Sequence, residues 1–230
     1  MSRFAQHFSE LLFRVRGVRY SRAWIVDRLR DRQLDRELGL ESSDRRSLRE
    51  LGIDLPESVD YQPVSYSDFR VILNSITVTP DDVFLDLGCG MGRAVCLAAF
   101  YPFRSIIGVE ISPELCSIAK ENIARIRNRL RCSDIEIVNA NANAYDIPPE
   151  VSVVFFFNPF GGAIMSAVLG RVAESARQRP RSLRLLFYGT AAATVFRKEA
   201  ERYRWLRFCT ELKLPTGAAA LIYEVNGASV

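Results

Sequence analysis

Apolar and polar positions along the chain follow two periods that alternate. Short apolar runs rich in β-branched and aromatic residues stand at 83–87 (Val-Phe-Leu-Asp-Leu), 105–109 (Ser-Ile-Ile-Gly-Val), 134–140, 151–157 (Val-Ser-Val-Val-Phe-Phe-Phe) and 183–189. These read as strands, and the nearly unbroken apolar run at 151–157 predicts a strand buried on both faces. Between them lie stretches with apolar residues three and four apart, which predict helices over 93–101, 113–129, 162–179 and 192–203. Pro102 and Pro180 end two of these, and Ser112-Pro113-Glu114 opens another. Phe69, Val71, Ile72, Leu73 and Ile76 predict a helix leading into the first strand. Two further alternating stretches, 205–214 and 218–225, are separated only by Pro215-Thr216-Gly217 and so predict adjacent strands. Strands alternating with helices predict an α/β fold with a mostly parallel sheet and helices on both faces.

The first 60 residues differ in texture. Phe4, Phe8, Leu11, Leu12, Val15 and Val18 are spaced for a helix with one buried stripe and a basic face. Trp24, Ile25 and Leu29 begin a second helix or continue the first. Residues 38–60 are polar, with Leu48, Leu51 and Ile53 as apolar anchors and Pro56 near the end. The division this predicts is a helical appendage and connector over 1–60 and a main domain over 61–230. The appendage serves as packing, as a lid, or as a substrate-recognition segment. A targeting or membrane-surface role is disfavoured, because acids become frequent from Asp27 onward and nothing resembles a cleavage site.

Composition narrows the classes. At 230 residues the chain has room for one large domain with an appendage. No apolar run reaches transmembrane length. The net charge of +4 is too small to imply nucleic acid by itself, and no nucleic-acid-binding module is visible. Five cysteines form no ligand cluster, and most read as small core residues of a reduced, cytoplasmic protein. With His7 the only histidine, a histidine base or a histidine-rich metal site is disfavoured, and no metal is expected.

Candidate chemistry centres on 83–93. The first strand ends in Asp86-Leu87-Gly88-Cys89-Gly90-Met91-Gly92-Arg93. Glycines at alternate positions let the backbone approach a ligand, and a carboxylate at a strand's carboxyl end favours a ligand with positive charge. A dinucleotide-binding turn wants G-x-G-x-x-G, and the spacing here does not match it. D-x-G-x-G-x-G resembles motif I of class I S-adenosylmethionine (SAM)-dependent methyltransferases. The second strand ends in Glu110-Ile111, where a carboxylate suits the ribose hydroxyls of a bound nucleoside. After the third strand comes Ala140-Asn141-Ala142, where the family usually has Gly-Asp-Ala. The central strand ends in Asn158-Pro159-Phe160, similar to the Asn/Asp-Pro-Pro-Phe/Tyr of amino-group methyltransferases. Tyr61-Gln62-Pro63, ahead of motif I, is similar to the Tyr-x-Pro segment of several methyltransferases, a group of protein lysine methyltransferases among them.

The resemblance implies the seven-stranded class I methyltransferase fold from about Tyr61 onward, with SAM as cofactor and S-adenosylhomocysteine as product. It implies that Asp86, Gly88, Gly90 and Gly92 hold the methionine end and Glu110 the ribose. Ile111, Asn141 and Ala142 would hold the adenine, with Tyr61 covering the pocket. Asn158, the Pro159 carbonyl and Phe160 would orient the acceptor, with Tyr66 and Phe160 facing it. The acceptor is expected to be a nitrogen, on a protein lysine or another amino group. A small-molecule O- or N-methyltransferase is the alternative, and a non-catalytic SAM-binding regulatory protein is the alternative of another class. The pattern does not give the oligomeric state.

Overall fold

The structure is a computed structural model that describes residues 14–15, 18–19, 22–47, 49–53, 60–157, 162–189 and 191–225. Its centre is a seven-stranded sheet of β1 (Val83–Leu87), β2 (Ser105–Glu110), β3 (Ile135–Asn139), β4 (Val153–Phe157), β5 (Leu183–Gly189), β6 (Leu206–Lys213) and β7 (Ala219–Val225). The spatial order is β3-β2-β1-β4-β5-β7-β6. Pairing is parallel from β3 through β5, and β7 runs against both of its neighbours. The sheet is therefore mixed, with its reversed strand next to one edge. The hinge of the order lies at β1, where the chain turns from building outward through β2 and β3 to building the other way through β4. Ligands in open α/β sheets bind at such a switch, beyond the strands' carboxyl ends.

Helices α1 (Arg22–Leu38), α2 (Tyr66–Asn74), α3 (Arg93–Ala98), α4 (Pro113–Ile126), α5 (Gly162–Gln178) and α6 (Ala191–Ala200) accompany the strands. Successive strand residues serve opposite faces, so the core divides in two. Phe84, Ile106 and Phe155 pack with Phe69, Ile72, Val95, Ala119 and Ile123 on one side. Val83, Leu85, Leu87, Val154 and Phe156 pack with Val168, Leu169, Val172 and Phe196 on the other. Asp86 shares the parity of Phe84 and so belongs to the first face. Local chemistry sets the helix starts. Ser65 caps α2 by accepting from the Asp68 amide at 3.2 Å, and Ser112 caps α4 ahead of Pro113 at its first position.

The N-terminal segment departs from the apolar-stripe expectation. Arg14–Val15 pairs antiparallel with Val18–Arg19, inside the stretch expected to be helical. α1 is a helix, but the side it buries carries Asp27, Asp31 and Asp35, while Val26 and Leu29 are exposed. Phe4, Phe8, Leu11 and Leu12 lie outside the described residues.

Candidate functional site

The turn after β1 is hung on β2. The amides of Gly88 and Cys89 both donate to the Val109 carbonyl, at 2.8 and 3.0 Å. Gly90 and Gly92 show why glycine is required. Both sit at positive φ, +53° and +80°. A Cβ on Gly90 would lie 2.2 Å from the ring of Tyr61, and one on Gly92 would lie 2.9 Å from Ala119 Cβ on α4. Side chains here would cost both backbone strain and steric overlap. Gly88 is also at positive φ, +85°.

Two carboxylates flank this turn, and they are satisfied differently. Glu110, at the end of β2, accepts from the Gly90 amide at Oε2 and from the Ser112 amide at Oε1, both at 2.9 Å. Burial pushes its pKa up, and those amide bonds pull it back. Asp86 is 3% exposed, and no hydrogen bond among the described residues reaches its carboxylate. Burial first, and the Glu110 charge second, push its pKa up to about 8. A buried carboxylate with no donor is costly, so this one is suited to a cationic group supplied from outside the chain.

Tyr61 lies over the turn. Its hydroxyl donates to the Ser42 carbonyl at 3.0 Å, and its amide donates to the Arg46 carbonyl at 2.9 Å. Together with Pro63, Asp86, Gly88, Phe155 and Phe157 it lines a cleft at the carboxyl ends of β1 and β4. Ile111 is half-buried, and its carbonyl accepts from Asn139 Nδ2 at 2.8 Å. Asn139 also donates to the Glu110 carbonyl at 3.0 Å, tying the end of β3 to the loop after β2. Asn141 accepts from the Asn143 amide at 3.2 Å within its own loop, and Ala142 is buried in the second core face. Asn158, Pro159 and Phe160 lie outside the described residues. The last described residue of β4, Phe157, stacks on Tyr188 of β5 with ring centres 4.6 Å apart.

Tyr66, expected at the acceptor, has its hydroxyl on Asp35 at 2.6 Å and its ring 4.9 Å from the Arg93 guanidinium. Arg93 itself, the first residue of α3, was not singled out by sequence reasoning. It is 2% exposed and donates to five partners. Nε donates to Ser42 Oγ (2.8 Å). One terminal nitrogen donates to Asp31 (3.1 Å) and the Val64 carbonyl (2.9 Å), the other to Asp35 (2.6 Å) and Ser43 Oγ (3.0 Å). All five guanidinium donors are thus used. One residue next to the glycine turn therefore holds α1, the connector and the segment behind Tyr61. The signal available in the sequence was the four-residue spacing of Asp27, Asp31 and Asp35, an acidic stripe that calls for a cation. Among the described residues no cluster of His, Cys, Asp and Glu is arranged to hold a metal ion.

The strand order and the turn between β1 and α3 define a class of fold, that of the class I SAM-dependent methyltransferases. An RNA methyltransferase from Salinibacter ruber, solved with S-adenosyl-L-homocysteine, matches with a TM-score of 0.55 at 20% identity, over 71% of this chain and 93% of that one. More particularly, residues 58–147 match the family model of Histone methylation protein DOT1. A protein-lysine N-methyltransferase of Saccharolobus islandicus is 36% identical over 100 residues, 43% of this chain and 60% of its own length. A histone-lysine N-methyltransferase of Caenorhabditis elegans, specific for H3 lysine-79, is 24% identical over 160 residues, 65% of this chain and 17% of its own. The match thus spans well under the full length of both curated relatives.

Proposed function

We propose that the protein is a SAM-dependent methyltransferase acting on an amino nitrogen, with a protein lysine as the acceptor favoured by its curated relatives. The observation that carries the reading is Asp86, a buried carboxylate without a hydrogen bond among the described residues, beside a turn whose three glycines all sit at positive φ. The residues present fit the cofactor this fold implies. Asp86, once ionised, pairs with an α-amino group. Glu110 is already oriented by two amides and keeps lone pairs for vicinal hydroxyls. The half-buried Ile111 offers apolar contact to a base, and Asn141 retains an amide group able to bond one. Bound SAM supplies a methyl group on a sulfonium, already activated toward a nucleophile. The protein's task is then alignment and exclusion of water, which Tyr61 serves by lying over the turn. An amine attacks as its neutral form, and apolar surroundings such as Phe155 and Phe157 favour that form. Asn158 and the Pro159 carbonyl are the acceptor-orienting groups in this reading. A reduced, cytoplasmic setting agrees with five free cysteines, four of them buried.

The test is titration calorimetry with S-adenosylhomocysteine, followed by transfer from labelled SAM to lysine-bearing proteins. Micromolar binding is expected, weakened at least tenfold in Asp86→Ala and Glu110→Ala. Asn158→Ala should keep binding and lose turnover. Undiminished affinity in both carboxylate variants overturns the site.

A further inference from the structure

The arginines of α1 form a stripe of their own, Arg28, Arg32 and Arg36, beside the buried aspartates. Arg28 is used by the chain itself, donating to the Pro63 carbonyl at 3.4 Å and the Ser43 carbonyl at 3.3 Å. Arg32 and Arg36 are exposed and make no ion pair among the described residues. Like charges four apart on a helix repel, and Arg36 Nε turns back onto the Arg32 carbonyl at 3.3 Å. Arg46, in the connector, joins these two around a cavity of about 530 Å³. Its Nε is buried with no hydrogen-bond partner among the described residues.

The acids on the walls do not cancel this charge. Asp35 is fully used: Oδ1 accepts from the Ser42 and Tyr66 hydroxyls at 2.9 and 2.6 Å, and Oδ2 accepts from Arg93 and the Ser43 hydroxyl at 2.6 and 2.5 Å. Glu41 faces Arg125 at 3.8 Å. Of the lining acids that leaves Asp44, so the arginines are in excess. Glu50 feels the Arg46 charge, but its carboxylate accepts from the Ser47 amide at 2.9 Å and does not line the cavity. Leu40 and Met91, 8% and 1% exposed, supply an apolar wall. The volume falls within the range of small-molecule sites, roughly 300–1,000 Å³. No lining residue is shared with the cleft that holds Asp86 and Phe157.

A guanidinium presents its donors in a rigid fork that matches a phosphate. A buried N–H without an acceptor is costly, and a ligand oxygen removes that cost. We propose that this cavity is a second binding site, for a small molecule that carries a phosphoryl group on an apolar or aromatic body. The phosphoryl oxygens meet Arg32, Arg36 and Arg46, and the body lies against Leu40 and Met91. SAM carries no phosphate, so this ligand is distinct from the cofactor. The site is independent of the methyltransferase reading.

The test is calorimetry of the full chain at pH 8 with phenyl phosphate, a dianion there. Benzoate and benzyl alcohol are the comparison ligands, and sodium chloride at matched ionic strength is the control. Phenyl phosphate is expected to bind at least tenfold tighter than benzoate, with no heat from benzyl alcohol. Affinity should fall at least tenfold in Arg46→Gln and in the double variant Arg32→Gln/Arg36→Gln, whose side chains are exposed and whose fold is not at stake. Arg129→Gln, an exposed arginine outside the cavity, should bind as the wild type does. Saturating S-adenosylhomocysteine should leave phenyl phosphate binding in place. Benzoate binding as tightly, undiminished affinity in both cavity variants, or an equal loss in Arg129→Gln overturns the site. Displacement by S-adenosylhomocysteine overturns it too, since the phosphate would then sit in the cofactor cleft. Phenyl phosphate binding in a chain that fails to bind S-adenosylhomocysteine supports this site and removes the cofactor reading alone.

Discussion

Asp86 is the residue on whose protonation the proposed cofactor site should turn. In an unfolded chain its carboxyl titrates near 3.8, and in the folded protein burial and Glu110 hold the proton up to about 8. Between those values the folded state binds more protons than the unfolded one. The stability Asp86 contributes is thus fully present at low pH and is lost as pH rises through about 8. A ligand's ammonium group has the opposite preference, since only the ionised carboxylate pairs with it. Affinity for S-adenosylhomocysteine should therefore rise from pH 6 to pH 8, by up to about tenfold per unit. Binding at pH 7 should also release a proton, seen as a calorimetric enthalpy that changes with buffer. Asp86→Asn should flatten that dependence and raise the ligand-free melting temperature at pH 8 and above, as expected where a site stores unfavourable charge. A pH-independent wild-type affinity across this range would remove Asp86 from contact with the ligand. The place of Asp86, a carboxylate at the end of an otherwise apolar strand, was legible from residue type and position alone. The lack of a bonding partner among the described residues was not legible, since it depends on everything that packs around Asp86.

At the scale of elements, the strands and helices of the sheet follow directly from their periodicities, and their observed ends differ from the expected ones by a few residues. α1 shows where that logic stops. Reading for an apolar stripe assigns its aspartates to solvent, yet Asp27, Asp31 and Asp35 form its buried side. Burying them requires a cation, and Arg93 stands 58 and 62 residues away from Asp35 and Asp31. Periodicity within one helix cannot see a partner at that distance. The consequence is measurable. Arg93→Met leaves two buried acids uncompensated and should cost about 3–5 kcal/mol in urea unfolding, the range for breaking one side of a buried ion pair. Arg93→Lys should recover only part of this, because an ammonium cannot serve five acceptors in a plane. Adding Asp31→Asn and Asp35→Asn to Arg93→Met should restore stability, a non-additivity that a solvent-exposed arginine would not produce. A loss below about 1 kcal/mol in Arg93→Met would mean that the network contributes little to holding α1.

Over the whole molecule, strand alternation yields an α/β fold, but the placement of β7 between β5 and β6 is set by long-range pairing that no local pattern encodes. The resemblance of the motifs supplied that order in advance. What neither motif nor periodicity supplied is how the N-terminal segment is tied to the glycine turn. Tyr61 rests on Gly90 and bonds to Ser42, while Arg93 bonds to Ser42, Ser43, α1 and Val64. A ligand seated against the turn therefore meets a surface whose geometry depends on α1 being docked. Linkage makes such a dependence reciprocal: if docking favours the ligand, the ligand favours docking by the same free energy. Hydrogen exchange should show it. Saturation with S-adenosylhomocysteine is expected to slow exchange in 24–38, which has no place in the proposed cofactor site, as well as in 88–92. In Asp31→Asn/Asp35→Asn the protection of 88–92 should persist while that of 24–38 is lost, with weaker ligand affinity. Protection confined to 88–92 in the wild type would mean that α1 is held independently of the cofactor site and that the two halves of the chain bind and fold without regard to each other.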